Sequence, residues 1–406
     1  VDTKRHQLFN QAYTPPLFRN FMDRLENRLG PFPFRVAETP LLFEAELRDK
    51  LAQHAQEIVT QLAEPTLLER LKQVVPPQYN VPGMDPLPNC VQVDFALMQG
   101  ADGKLDGRVV ELQAFPSLYA LMYLMSESWA ETMSQRVPGL EGPWSCFIGL
   151  EKTSAMDLIR RTLLGHAAPE ETVLVDYQPE HQKTAPDFEA TRQLFGIDAV
   201  CVTKLIKEGT RLYREKEGRR VPVKRIYNRM VFDELEVKGV TPPFSWNEPL
   251  DITWCSHPNW YWVWSKYSLP FLNHPAVPKA RFLSDMQTLP EDLSRFVLKP
   301  LFSFAGTGVV VDVTPEDVAK VPADQRDKWV LQNKIDYVPV IHTPDGHGIK
   351  AEVRVMLCRP PDEKTLVPIQ CLVRLSRGKM IGVDHNRNLE WVGGSVGMWK
   401  DDSQKP

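Results

Sequence analysis

The sequence predicts a mixed α/β (α+β) protein of more than one domain, and three observations carry that prediction. Residues 145–240 alternate short apolar runs with helical patterns (TVLVDY, ATRQLFG, AVCVTKL), which argues for a parallel sheet with crossover helices. Two other stretches read as antiparallel hairpins: CVQVDFALMQ against RVVELQAF, and IKAEVRVMLC against VPIQCLVRLSRG. Between residues 42 and 64, LFEAELRDKLAQHAQEIVTQLAE places apolar side chains at helical spacing.

The elements follow in order. Residues 1–80 form a helical N-terminal region that runs into the Pro-rich connector PPQYNVPGMDPLPN at 76–89. Residues 81–144 hold the first hairpin, turning at ADGKLDG, and a Met-, Leu- and Tyr-rich helix from Ser117 to Gln135. Residues 145–245 form the α/β section, opening with CFIGL as a strand and SAMDLIRRTLLG as a helix, and closing with VKRIYNRMVFDEL. Residues 246–406 begin with the aromatic run SHPNWYWVWSKYSLP, expected as core, and continue mainly as strands with one short helix near TPEDVAKV.

Composition narrows the function classes. A chain of 406 residues has ample core for an enzyme, and 43% hydrophobic with 25% charged residues is ordinary for a globular protein. A net charge of −4 makes no case for nucleic-acid binding. The sequence has no apolar run long enough for a transmembrane helix and begins without a signal-peptide pattern, so neither membrane nor export is expected. The six cysteines show no CxxC spacing, so zinc and thioredoxin-like chemistry are not expected; buried free thiols in a reducing cytoplasm are. The histidines make no HExxH or triad pattern, and His257, His274 and His385 are expected to be structural.

The richest segment for chemistry is RFVLKPLFSFAGTGVVVDV, residues 295–313. It reads as a strand ending at Lys299, a loop with Gly306, Thr307 and Gly308, then a β-branched strand. A mobile cation beside glycines that let backbone N–H groups approach oxygen suits a polyphosphate, although no Gly-Lys-Ser/Thr opens a helix as in a Walker loop. The competing reading is an ordinary hairpin with a surface lysine. Upstream, Asp94 and Glu111 lie 17 residues apart (111 − 94) across a turn, and Glu111 shares a strand face with Gln113. Such oxygens can hold Mg2+, or they are a polar hairpin edge. In WVLQNKIDYVP the backbone at Gln332, Asn333, Lys334 and Ile335 could meet an adenine, or simply end a strand. Glu352 shares a strand face with Arg354, against Ala351, Val353 and Val355 on the other, and could reach metal or ribose; Arg374 and Arg377 could grip phosphate or carboxylate, or all could be exposed ion pairs. EWVGGSVGMW offers Gly393, Gly394 and Ser395 as a closing lid, against a plain C-terminal turn. Asn386 and Asn388 are weak candidates. Lys266 is a second candidate phosphate lysine, and Arg229 a substrate anchor or an ion-pair partner.

In this order the segments resemble a circularly permuted ATP-grasp ligase, near eukaryotic-type glutathione synthetase and bacterial glutathionylspermidine synthase, in motifs over roughly residues 90–400. The resemblance implies ATP and Mg2+ as cofactors. It maps Lys266, Lys299, Gly306, Thr307, Gly308, the 332–335 hinge and Glu352 to the nucleotide, and Asp94, Glu111 and Gln113 to Mg2+. It maps Arg229 and Arg374 to the reacting carboxylate, and Ser117, Arg377, Gly393, Gly394 and Ser395 to substrate. The implied reaction joins a small-molecule or peptide carboxylate to an amine (or thiol) through an acylphosphate. A homodimer is among the expectations. Three departures stand out. Leu301-Phe302-Ser303-Phe304 occupies the stretch where glutathione synthetase carries a metal-binding acid; Gln113 replaces the usual Asn; and Ser376-Arg377 stands where a lysine is expected. Two rivals follow: a catalytically altered nucleotide-binding scaffold with a regulatory role, and an enzyme adding an amino acid to a peptide or protein tail.

Overall fold

The computed structural model describes residues 1–302, 308–378 and 389–400. Helices Thr3–Ala12, Pro15–Leu29, Ala45–Leu62 and Pro65–Lys72 build the N-terminal region. Their ends carry local signals: the Thr14 side chain accepts from Leu17 N–H ahead of a proline start, and Gly30 closes the same helix at φ 80°. Leu47, Leu51, Ala55, Ile58 and Leu62 form the buried stripe of the third helix.

These helices are not a free arm. Residues Leu41–Leu42 add a parallel strand to the largest sheet, pairing with Gly397 and Met398, and the same hydrophobic core runs through helices and sheet. That sheet runs in the order Leu41–Leu42, Gly393–Lys400, Val367–Ser376, Gly348–Cys358, Cys90–Gln99, Leu105–Gln113, with Pro339–His342 and Trp144–Ser145 added alongside. Both expected hairpins are present in it. The long helix Tyr119–Arg136 covers it with Trp129, Met125 and Leu121, which are fully buried.

A four-stranded parallel sheet runs in the order Thr253–Cys255, Arg225–Asn228, Thr172–Asp176, Asp198–Cys201; three of its strands fall within residues 145–245 and the fourth, Thr253–Cys255, lies beyond them. A small antiparallel sheet contains Ala280–Phe282, Trp329–Asn333, Phe296–Pro300 and Val310–Val311. A three-stranded meander over residues 206–223, turning at Gly209 and Gly218 with φ of 62° and 72°, interrupts the α/β section. The aromatic run is core, with Trp260 and Trp264 fully buried. All six cysteines are free and buried. No described helix is long and apolar enough to cross a membrane.

Two expectations are corrected. CFIGL is not a strand. Trp144–Ser145 is, while Phe147 makes a lone bridge to Gln370; the run is apolar because Cys146, Phe147 and Ile148 pack inward. The Gly393, Gly394, Ser395 stretch is not a lid loop but the start of a buried strand. A Cβ on Gly393 would lie 2.3 Å from the Arg35 carbonyl oxygen, at φ 123°. The Ser395 hydroxyl donates to the Thr39 carbonyl at 2.6 Å. Glycine serves close backbone approach here, not mobility. Gly393→Ala should therefore destabilise the fold by at least about 2 kcal/mol, read as a fall in urea midpoint; an unchanged midpoint would contradict this account of the packing. Ser303, Phe304, Gly306, Thr307, His385, Asn386 and Asn388 lie outside the described residues.

Candidate functional site

Strand register collects the charged candidates. Asp94 sits opposite Glu111 on one side and Arg354 on the other, and Glu352 sits opposite Arg374. Directly paired residues share a face, and alternation puts Glu352 with Arg354 and Asp94 with Gln92. Arg354 binds Asp94 by a two-pronged contact, Nε to Oδ1 at 2.6 Å and Nη2 to Oδ2 at 2.7 Å, and its Nη1 donates to Gln92 Oε1 at 2.8 Å. Arg374 Nη2 donates to the Asp94 carboxylate and lies 2.7 Å from Glu352 Oε1. The Tyr337 hydroxyl donates to Glu352 Oε2 at 3.1 Å. Burial alone would raise the Asp94 carboxyl; the two guanidiniums override it and hold it below the usual range. Burial pushes Glu352 up, against the pull of Arg374.

Lys299 reaches this face from the small sheet. The hairpin register shifts between Asp94–Glu111 and Phe95–Val109, leaving Val110 as an extra, bulged residue. The Lys299 ammonium donates to the Val110 carbonyl at 2.8 Å and to Gln332 Oε1 at 2.7 Å, while Gln332 Nε2 donates to the Val109 carbonyl at 3.1 Å. The bulge thus turns a main-chain oxygen toward the lysine and stitches the two sheets together. Burial pushes the Lys299 ammonium down to about 8, against the raising influence of Glu111, with Lys266 adding to the fall. Lys266 itself is buried at the start of the short helix Lys266–Phe271.

Arg229 follows a parallel strand, its N–H bonded to the Val175 carbonyl at 3.0 Å. Its guanidinium donates to the Pro116 carbonyl at 2.6 Å and lies over the Phe115 and Phe188 rings. Asp187 holds the neighbouring turn by accepting from Leu118 and Leu121 N–H, both at 3.0 Å, and Leu118 adopts the left-handed region at φ 68°. The Ser117 carbonyl accepts from Gln92 Nε2 at 2.7 Å. A hydrogen-bonded chain therefore runs from Ser117 through Gln92 and Arg354 to Asp94, Arg374 and Glu352. Beside Arg229, Asp176 ends its strand with a carboxyl that burial pushes up to about 7. Both Arg229 and Arg374 keep a buried Nε–H with no acceptor among the described residues.

Other candidates are placed less favourably. The N–H groups of Asn333 and Lys334 already bond to the Lys279 and Arg295 carbonyls at 2.9 and 2.8 Å, and Gln332 pairs with strands on both sides; these donors are not open to an adenine. Ile335 follows in the loop. Arg377 lies beyond the cluster, near Asp345. Gly308, at φ 76°, packs against Pro300. In the stretch where the resemblance leads one to expect an acid, Leu301 is buried and Phe302 meets Trp262 edge-on at 4.8 Å between centroids.

The expected Mg2+ trio fits only in part. Glu111 is half-buried, and its carboxylate makes no hydrogen bond or ion pair with a described residue, so it can accept a hard cation together with phosphate oxygens. Asp94 does not fit, since both its oxygens are taken by arginines. Gln113 does not fit either: its amide lies between Gln92 and Arg354, and turned over it accepts from Arg354 at 3.0 and 3.1 Å. A guanidinium fills the space between Asp94 and Gln113. Sequence reasoning left Arg354, Gln92, Tyr337, Asp187 and Asp176 out of the site. A shared strand face with Glu352 was a usable signal for Arg354; a strand-ending acid was one for Asp176.

No family model matches the chain, and no curated protein matches it. Among solved structures the chain is similar to a glutathione synthetase-like effector from Globodera pallida in its apo form. The TM-score is 0.59 at 13% identity, over 96% of this chain and 98% of that one. The likeness establishes a shared glutathione synthetase-like fold across nearly the whole length.

Proposed function

Taking that fold as the premise, we propose that the chain is an ATP-dependent carboxylate–amine (or thiol) ligase of the circularly permuted ATP-grasp type. The observation that carries this reading is the meeting of Lys299, Lys266, Glu111, Glu352 and Arg374 where the large and small sheets join. Phosphoryl transfer asks the protein mainly for positioning and charge neutralisation. Lys299 and Lys266 would neutralise the phosphates of ATP. Glu111 would hold Mg2+, which when bound offsets further phosphate charge. The unspent Nε–H groups of Arg229 and Arg374 would orient the substrate carboxylate. That carboxylate attacks the γ-phosphorus and ADP leaves; the amine then attacks the acyl carbon, phosphate leaves, and the amine loses a proton. Six buried thiols suit a cytoplasmic setting.

A second reading, a nucleotide-binding scaffold without turnover, draws support from Phe302 in the loop and from Asp94 being neutralised by arginines. Incubation with Mg-ATP and paired carboxylate and amine libraries separates the two. The ligase releases ADP and phosphate beyond one equivalent per chain only when both partners are present; saturable ATP binding with no ADP from any pair supports the scaffold. Glu111→Gln should raise the Mg2+ concentration needed for half-maximal nucleotide binding by about tenfold (one charge–cation contact of roughly 1.4 kcal/mol). An unmoved Mg2+ titration removes Glu111 from metal binding.

A further inference from the structure

Away from the phosphate cluster, His54 and Glu57 lie one turn apart on the Ala45–Leu62 helix and face His274, just beyond the short helix Lys266–Phe271. One ligand atom from each lies within 4.8 Å of the others. His274 Nε2 is 2.8 Å from Glu57 Oε2, and His54 Nδ1 is 4.0 Å from the same oxygen. The two imidazole rings meet edge to face at 5.2 Å. His54 Nδ1 is buried and has no hydrogen-bond partner among the described residues. Its other nitrogen, Nε2, faces Asp106 Oδ1 at 3.3 Å. A proton held on Nε2 by that carboxylate leaves Nδ1 as a bare lone pair beside a carboxylate and a second imidazole. Without a metal the His274 Nε2–H satisfies Glu57, but His54 Nδ1 stays a buried acceptor without a donor among the described residues, which is costly.

We propose that His54 Nδ1, Glu57 Oε2 and His274 Nε2 form a binding site for a divalent transition metal of the zinc class. Two imidazoles and a carboxylate suit that class, with water completing a tetrahedron. The surroundings supply the outer contacts such sites use. Asp106 fixes the His54 tautomer and is itself held by Gly107 N–H and Arg108, both at 2.8 Å, with Lys50 at 3.2 Å. Gln53 donates to the other Glu57 oxygen at 2.8 Å. The Glu57 side chain is 46% exposed, so it is free to make the small movement that closes the ligands on a metal. Binding has one local cost. His274 Nδ1 accepts the Ala276 N–H at 3.1 Å, so metal at Nε2 moves the ring proton to Nδ1 and gives up that bond.

The placement gives the site a consequence. The Ala276 carbonyl accepts Val109 N–H at 2.8 Å, next to the bulged Val110 that anchors Lys299. A metal would clamp the N-terminal helix to the segment bracing that anchor. The proposal stands apart from the ligase reading, because its test needs no nucleotide.

The test uses the full chain stripped with a chelator and titrated with Zn2+ by calorimetry, with Co2+ absorption as the geometric readout. One equivalent of Zn2+ per chain and an intense tetrahedral Co2+ spectrum are expected. Glu57→Gln and His54→Ala should each weaken Zn2+ by about a hundredfold, and Asp106→Asn by about tenfold. No stoichiometric binding, or equal affinity in the wild type and Glu57→Gln, overturns the site. Should His54→Ala fail to fold, Glu57→Gln decides alone, since that side chain lies on an exposed helix face.

Discussion

Lys299→Ala should weaken nucleotide binding by at least about thirtyfold, roughly 2 kcal/mol, the lower end for truncating a buried hydrogen-bonded charge. The lysine is the charged link between the two sheets, and its ammonium faces Glu111, Glu352 and Asp94 as well as Lys266. The same substitution leaves the Gln332 amide oxygen and the Val110 carbonyl without their donor. It should therefore also cost about 1–3 kcal/mol of stability. Calorimetry with an ATP analogue and urea unfolding read the two effects separately; unchanged affinity in a folded variant would remove Lys299 from the nucleotide site. A pH series sharpens the test. The ammonium is pushed from 10.5 to about 8 in the fold. Between those values the unfolded chain binds the proton more tightly than the native one, so Lys299 adds stability as pH rises. Phosphate needs the protonated form, so affinity should fall as pH passes about 8. Opposite slopes of stability and affinity, both abolished in Lys299→Met, are the expected signature.

Asp94→Asn should cost about 3–5 kcal/mol of stability, because it removes the counter-charge of the buried Arg354 guanidinium and one of the two carboxylates that face the half-buried Arg374. Asp94 is fully buried and holds Arg354 in two-pronged contact while also accepting from Arg374. Urea unfolding measures the loss. The Mg2+ dependence of nucleotide binding should stay where it is, since Arg354 and not a metal fills the space at Asp94. Asp94→Asn combined with Arg354→Met should recover part of the lost stability, since removing both partners is cheaper than removing one. A variant of wild-type stability with a strongly shifted Mg2+ titration would return Asp94 to the metal.

Much of the architecture was legible because it rests on local periodicity. The strand–helix alternation of residues 172–201 and the alternation of Glu352 and Arg354 with apolar neighbours both declared themselves. What lay across the sheet was not legible. Arg354 meets Asp94 through a pairing of strands 260 residues apart, so alternation gave its face but not its partner. The Val110 bulge depends on a one-residue register shift, and the Tyr337 contact comes from a loop without any repeat. Glycine misled at Gly393 because the residue marks close approach as well as freedom, and only the Arg35 carbonyl distinguishes the two. His54 and Glu57 sit at ordinary helical spacing; their partner His274 is about 220 residues away, beyond the reach of any short motif.

The pairing of Leu41 with Gly397 spans 356 residues (397 − 41). During synthesis, the N-terminal helices emerge long before the strand that seats them exists. Closing so long a loop is entropically costly and slow, so the large sheet completes late. The apolar stripe of the Ala45–Leu62 helix is covered sooner, by the nearby hairpin of residues 90–113, where Leu51 packs at Gly107 and Phe95, so what waits for residues 393–400 is the Leu41–Leu42 edge of the sheet.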